Sequence, residues 1–202
     1  EDSRIGDLVF RRSDRSLWGI RHLNGIVTLV RMPYPYTDFN QVYSWPYGEI
    51  AYDLDISPDG KLLSYSHTAV NGDQALYLSP LESLEAGDGK PAASFDFGTA
   101  VPEGFVFSPD GKSLYGSSYY TGVSNIYRYD LATQKIEALS NAQTGLFRPL
   151  PLPDGRMLAF AYAGQGLLPG FIDAQPREDL AAITFLGAQI AEQHPIVKEW
   201  NV

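Results

Sequence analysis

Asp53 and Asp55 stand two residues apart in Tyr52-Asp53-Leu54-Asp55-Ile56. On a strand, positions i and i+2 share a face. The two carboxylates are therefore expected side by side, with Tyr52, Leu54 and Ile56 on the other face. Such a pair can bind Ca²⁺ together with Asp59, or divide acid and base roles. The oxygen spacing is not that of an EF-hand loop, and the favoured expectation is a solvated or tunnel-facing edge of an inner strand. The histidines, His22, His67 and His194, form no i, i+4 pair and no HExxH motif. A fold that set His22 beside His67 would give, with an Asp, a metal site. The expectation is instead two polar residues at strand ends, with no metal and no cofactor.

Nucleophilic chemistry has equally little to work with. Gly122-Val123-Ser124-Asn125-Ile126 lacks the last glycine of a nucleophile elbow. Gly164-Gln165-Gly166-Leu167-Leu168-Pro169-Gly170 lacks the Lys-Ser/Thr of a phosphate loop, and no amphipathic helix follows it. It is expected to be a loop. No catalytic centre is expected. The residues suited to binding are aromatic: Tyr34, Tyr36, Phe39, Tyr43, Trp45 and Tyr47, interleaved with Pro33, Pro35 and Pro46, and further on Tyr119 and Tyr120. Proline disfavours a central strand there. Large aromatics in such loops suit contact with a protein or peptide, or else internal packing.

A repeat organises the elements that must position these residues. Ser57-Pro58-Asp59-Gly60-Lys61-Leu62-Leu63 returns as Ser108-Pro109-Asp110-Gly111-Lys112-Ser113-Leu114 and as Leu152-Pro153-Asp154-Gly155-Arg156-Met157-Leu158. A weaker copy is Ser13-Asp14-Arg15-Ser16-Leu17. Proline presets the first turn position, aspartate bonds the neighbouring backbone, and glycine supplies positive φ. Asp59, Gly60, Asp110, Gly111, Asp154 and Gly155 are thus structural turn residues. Strand-like runs flank each turn, Tyr52–Ile56 and Leu62–Ser66 in one copy, Gly104–Phe107 and Leu114–Tyr119 in the next. Two more follow in each, at 75–78 and 93–97, then at 125–131 and 136–139, so one repeat holds four strands. Asn24-Gly25 marks a hairpin in the first repeat.

Four strands per 44 to 51 residues is the content of one β-propeller blade. The fold class is all-β: a propeller or propeller fragment of about four four-stranded antiparallel blades, at about 5–49, 50–100, 101–145 and 146–187. Residues 85–91 are expected as a loop inside the second blade. Residues 188–193 read as one or two helical turns ended by Pro195, within a tail at 188–202 that carries Trp200.

A net charge of −9 speaks against nucleic acid and against anionic lipid surfaces. There is no cysteine, hence no disulfide and no thiolate metal site. No apolar run is long enough for a membrane-spanning helix. The chain begins at Glu1 and reads as a mature or excised form.

The tandem SPDGK-type turns resemble the PD40 repeats of TolB-like β-propellers. Tyr127-Arg128-Tyr129-Asp130-Leu131-Ala132-Thr133 is similar to the third-strand pattern of those repeats, in which Asp and Thr close the turn to the fourth strand. The first copy departs in lacking Pro and Gly, the third PDG copy in having Leu152 for Ser. The resemblance implies a periplasmic or outer-membrane-associated module that binds protein or peptide. It equally allows the accessory propeller of a peptidase or other hydrolase. The region from Phe185 to Trp200 resembles the linker by which such propellers run on into another domain. Four blades leave two terminal blade faces, bearing residues such as Leu17, Trp18, Ile20, Leu158 and Phe160. Self-association to complete the ring, or a compact closure, is expected to cover them.

Overall fold

The computed structural model describes residues 4–173 and 175–176. β1 (Ile5–Arg11), β2 (Ser16–Leu23), β3 (Ile26–Met32) and β4 (Asn40–Ser44) form the first antiparallel sheet in sequential order. β5 (Ile50–Ile56), β6 (Leu62–Thr68), β7 (Gln74–Pro80) and β8 (Ala93–Gly98) form the second. β9 (Pro102–Phe107), β10 (Ser113–Ser118), β11 (Asn125–Asp130) and β12 (Lys135–Ala138) form the third. β13 (Leu146–Pro151), β14 (Met157–Ala163) and β15 (Gly166–Ile172) form the last. This is a β-propeller fragment, its inner strands packed in succession, β1 on β5, β5 on β9 and β9 on β13. The remainder of the fourth repeat, the helical turns read at 188–193 and the tail lie outside the described residues.

The PDG turns join the first and second strands of their sheets as their chemistry requires. Asp59 Oδ1 accepts the Lys61 N–H at 3.1 Å and the Ser57 hydroxyl at 2.6 Å, while Ser57 Oγ accepts the Leu62 N–H at 2.9 Å. Asp110 and Ser108 repeat this arrangement. Asp154, with Leu152 in place of serine, keeps only its bonds to Arg156. Gly60, Gly111 and Gly155 take φ of 75°, 70° and 85°, and in the first copy Arg15 holds the same left-handed conformation at 58°.

Apolar side chains are spent between sheets. Trp18, Ile20 and Trp45 of blade one meet Leu63 and Tyr65 of blade two. Leu76 and Phe97 of blade two meet Phe105, Tyr127 and Tyr129 of blade three, and Ile126 and Leu139 meet Ala159 of blade four. Trp18 and Ile20 are completely buried, so they face blade two and not the free side of blade one as expected. The free side carries Leu8 and Phe10; that of blade four carries Leu150, Tyr162 and Phe171.

Two sequence expectations are corrected. Gly164–Gly170 is not a loop: only Gly164-Gln165 turn, and Gly166–Ile172 pairs with β14 along its whole length. Pro169 fits because, among the described residues, β15 is an edge strand. In blade two, the loop expected at 85–91 is irregular only from residue 86, over 86–92. It is preceded by a short helix, α1 (Leu81–Glu85), which buries Leu81 and Leu84 in the core between blades one and two.

Candidate functional site

Each inner strand carries a bulge at the same depth. Register slips between Gly6 and Val9, between Tyr52 and Asp55, opposite Tyr115 and Ser117, and between Phe147 and Leu150. A left-handed residue sits in each slip: Asp7 at φ 49°, Asp53 at 51°, Gly104 at 59° and Arg148 at 48°. An extra residue resets the alternation of faces. Tyr52 and Asp55 therefore share a face, because they pair with Ser66 and Ser64, while Leu54 packs with Ile56 toward blade one. The expectation that Tyr52 lies on the face opposite the two carboxylates is corrected by this bulge.

The carboxylates are used structurally. Asp53 Oδ2 accepts the Gly104 N–H at 2.9 Å, and Asp55 Oδ2 accepts the Phe107 N–H at 2.7 Å, both across to blade three. The Asp7 carboxylate faces the Asp53 N–H in the same sense, one blade earlier. Burial raises the Asp55 pKa against the lowering pull of the Phe107 N–H. Burial and then the Asp53 charge raise that of Asp7, against weaker lowering by His22 and Arg148.

Strand direction gives the fragment two distinct ends. One, the PDG end, holds the four turns between first and second strands and the connections between third and fourth. The opposite end holds the β2–β3, β6–β7, β10–β11 and β14–β15 hairpins and the blade-to-blade connectors. The eight aromatic candidates divide between them and the interior. Tyr34 and Tyr36 lie at the PDG end, edge to face at 5.6 Å, with Arg15 over the Tyr34 ring. Phe39 lies there too, beside the Arg21 guanidinium. Tyr43 is half-buried and Trp45 is buried, within a run of ring contacts from Tyr43 through Trp45 and Tyr65 to Tyr77. Tyr47, Tyr119 and Tyr120 are exposed at the opposite end. Tyr120 also closes over Phe95, Phe97 and Tyr127, and Tyr119 touches Phe147.

His67 is buried, stacked on Tyr77 at 4.7 Å, with its Nε2 2.8 Å from Glu49 Oε2. His22 lies on the first sheet and does not join it. Among the described residues no group of three or more His, Asp or Glu side chains is placed to hold a metal ion. The Glu49–His67 pair separates two cavities at the opposite end, one of about 270 Å³ against His67 and Tyr77, the other of about 280 Å³ against His22, Tyr47 and Glu49. Sequence reasoning missed both. Their only signal was that a Glu in one connector and a His late in the adjacent strand fall at the same end.

No family model and no curated protein matches the sequence. Solved structures do. A putative TolB from Agrobacterium tumefaciens superposes with a TM-score of 0.67 at 17% identity, over 84% of this chain and 61% of that one. TolB from Acinetobacter baumannii gives 0.67 at 16%, over 85% and 41%. A puromycin-hydrolysing peptidase of Mycobacterium tuberculosis gives 0.60 at 20%, over 85% and 28%. The fold is thus that of a TolB-like β-propeller, and the chain spans 61% and 41% of the lengths of the two TolB structures.

Proposed function

We propose that this TolB-like propeller chain is a non-catalytic binding or assembly module of the bacterial cell envelope, periplasmic or outer-membrane-associated, whose partner is a protein or peptide. The observation that carries the reading is where its exposed apolar side chains lie. Leu23, Ile26, Tyr47, Val70, Tyr119 and Tyr120 all stand exposed at the opposite end, against Tyr34 and Tyr36 at the PDG end. Patches of this kind mark interaction surfaces. The acidic balance of the chain supports a protein partner over nucleic acid. Among the described residues no helix is long and apolar enough to cross a membrane. The free faces of blades one and four are the surfaces that self-association would cover.

A photo-crosslinking residue placed in turn at Tyr47, Tyr119, Tyr34 and Tyr36 in envelope-containing cells tests the reading. Discrete adducts from Tyr47 and Tyr119, and none from Tyr34 or Tyr36, are expected. The reverse pattern, or no adduct at any of the four, refutes it.

The second reading is an accessory propeller that gates substrate for a hydrolase. The likeness to the puromycin-hydrolysing peptidase favours it. The full-length gene separates the two: a downstream hydrolase domain supports the second, a downstream barrel the first.

A further inference from the structure

Charge is segregated along the propeller axis. All four lysines among the described residues, Lys61, Lys90, Lys112 and Lys135, lie at the PDG end. The loops of the opposite end, 24–25, 45–49, 69–73, 99–101, 119–124, 139–145 and 164–165, contain neither Lys nor Arg. Arg4 and Arg148 are the basic residues toward that end, Arg148 paired with Glu103, while Arg21 turns its guanidinium to Phe39 at the PDG end. Glu49, Asp73 and Asp96 lie there, and Asp73 and Asp96 have no ion-pair partner among the described residues.

The two cavities described above lie within this acidic region. The first is lined by His67 and Tyr77, with Asp73 and Asp96 at its walls. Glu49 as a carboxylate only accepts, so His67 donates from Nε2. Nδ1 is then the remaining polar atom of a ring that is 5% exposed, and it has no hydrogen bond among the described residues. It is an acceptor. The Tyr77 phenol is pushed up by burial and then by the charges of Glu49 and Asp96, which marks the field in the cavity as negative. The second cavity has an apolar wall of Ile26, Val27 and Ile50, with Tyr47 standing over Gly25.

We propose that the opposite end of blades one and two docks an extended segment of a protein partner carrying a Lys or Arg next to an apolar residue. The cationic head meets Asp73 and Asp96, its methylene stem lies along Tyr77, and the apolar neighbour enters beside Tyr47. This rests on the binding-module reading and names the chemistry of the partner.

The probe is a fluorescent six-residue peptide with adjacent lysine and phenylalanine in a glycine-serine frame, followed by fluorescence anisotropy at low salt. Binding to the 202-residue chain is expected. It should weaken at least tenfold when the lysine is replaced by norleucine, and fall with added salt. Asp73→Asn combined with Asp96→Asn should weaken it at least fivefold with the circular dichroism spectrum unchanged. Tyr47→Ala should weaken it severalfold, and Lys112→Ala should not. No binding at millimolar peptide, equal binding of the norleucine peptide, or indifference to the Asn pair overturns the proposal. So does pentylamine alone binding as tightly as the peptide. Crosslinks from Tyr47 with no peptide binding would sink this inference and leave the binding-module reading standing.

Discussion

The Ser117 hydroxyl accepts the Arg148 N–H at 3.2 Å, joining blade three to blade four. One blade earlier the matching N–H, that of Gly104, goes to the Asp53 carboxylate. Gly104 has no side chain to pass the pattern on. The acceptor comes instead from the neighbouring strand, and Arg148 turns its guanidinium back to Glu103 at 3.3 Å. The bulges are therefore a structural ladder, which is why the carboxylates that first suggested chemistry belong to the scaffold.

Asp55 should show this by its response to amide substitution. Its folded pKa is raised, so the ionised form is a liability near neutral pH, and the stability it contributes is present at low pH and lost as pH rises through the folded value. Asp55→Asn keeps an acceptor for the Phe107 N–H. It is expected to be neutral or stabilising at pH 7, with the advantage shrinking below about pH 4. Asp55→Ala leaves that N–H unsatisfied and should cost about 1–3 kcal/mol. Urea denaturation at the two pH values reads both.

The turn aspartates behave oppositely. The Ser57 and Ser108 hydroxyls, followed by the Lys61 and Lys112 N–H groups, hold Asp59 and Asp110 below the usual carboxylate range. Their contribution is present above the unfolded pKa and disappears as pH falls through the folded one. Thermal melts between pH 5 and pH 2 should fall less steeply for the Asp59→Asn, Asp110→Asn variant than for the parent. Equal slopes would contradict the assignment.

Two turn glycines with the same conformation should differ in cost. At Gly155 nothing lies within 4 Å of an added Cβ, whereas at Gly60 it would meet Ser13 Oγ at 2.9 Å and Arg11 Nε at 3.3 Å. Arg11 Nε also donates to the Gly60 carbonyl at 2.9 Å. Gly155→Ala is expected to cost about 1 kcal/mol from backbone strain alone. Gly60→Ala should cost about 1–3 kcal/mol more by overpacking, and chemical denaturation separates them.

Gly116 accommodates the Phe105 ring directly against its α-carbon. Blade two solves the same place with Leu54 and Tyr65. Gly116→Ala should destabilise by about 1–3 kcal/mol, and Phe105→Leu in the same chain should restore part of that loss. An additive double mutant would show that the two sites do not share one space.

The free blade faces offer the last test. Leu150, Tyr162 and Phe171 are each half exposed or more on blade four. Light scattering is expected to show concentration-dependent association of the chain, and Leu150→Lys with Phe171→Lys should abolish it. A monomer at high concentration would contradict the expectation.

The turns, the hairpin at Asn24-Gly25 and the strands around them were legible because proline, glycine and aspartate act locally. The bulges were not. Asp7, Asp53 and Arg148 take a conformation that their types do not announce, held by contacts to the next blade for the two aspartates and to the preceding one for Arg148. Helix α1 has five residues and is fixed by burying Leu81 and Leu84, a tertiary reason no short window contains. The aromatic run from Tyr34 to Tyr47 looked like one patch because it is contiguous in sequence. Strand β4 carries the chain from the PDG end to the opposite end between Asn40 and Ser44, and so splits it.

Each sheet is completed by consecutive stretches of chain before the next begins, as in β1 to β4 within residues 5–44. The loops that must close are short, so the entropic barrier to each sheet is small. A chain emerging from a ribosome or a translocation pore can finish one sheet, then dock the next through Arg11 on Gly60, Asp53 on Gly104 and Ser117 on Arg148. Assembly is vectorial, and until its successor arrives the newest sheet always presents an unfinished apolar face to chaperones.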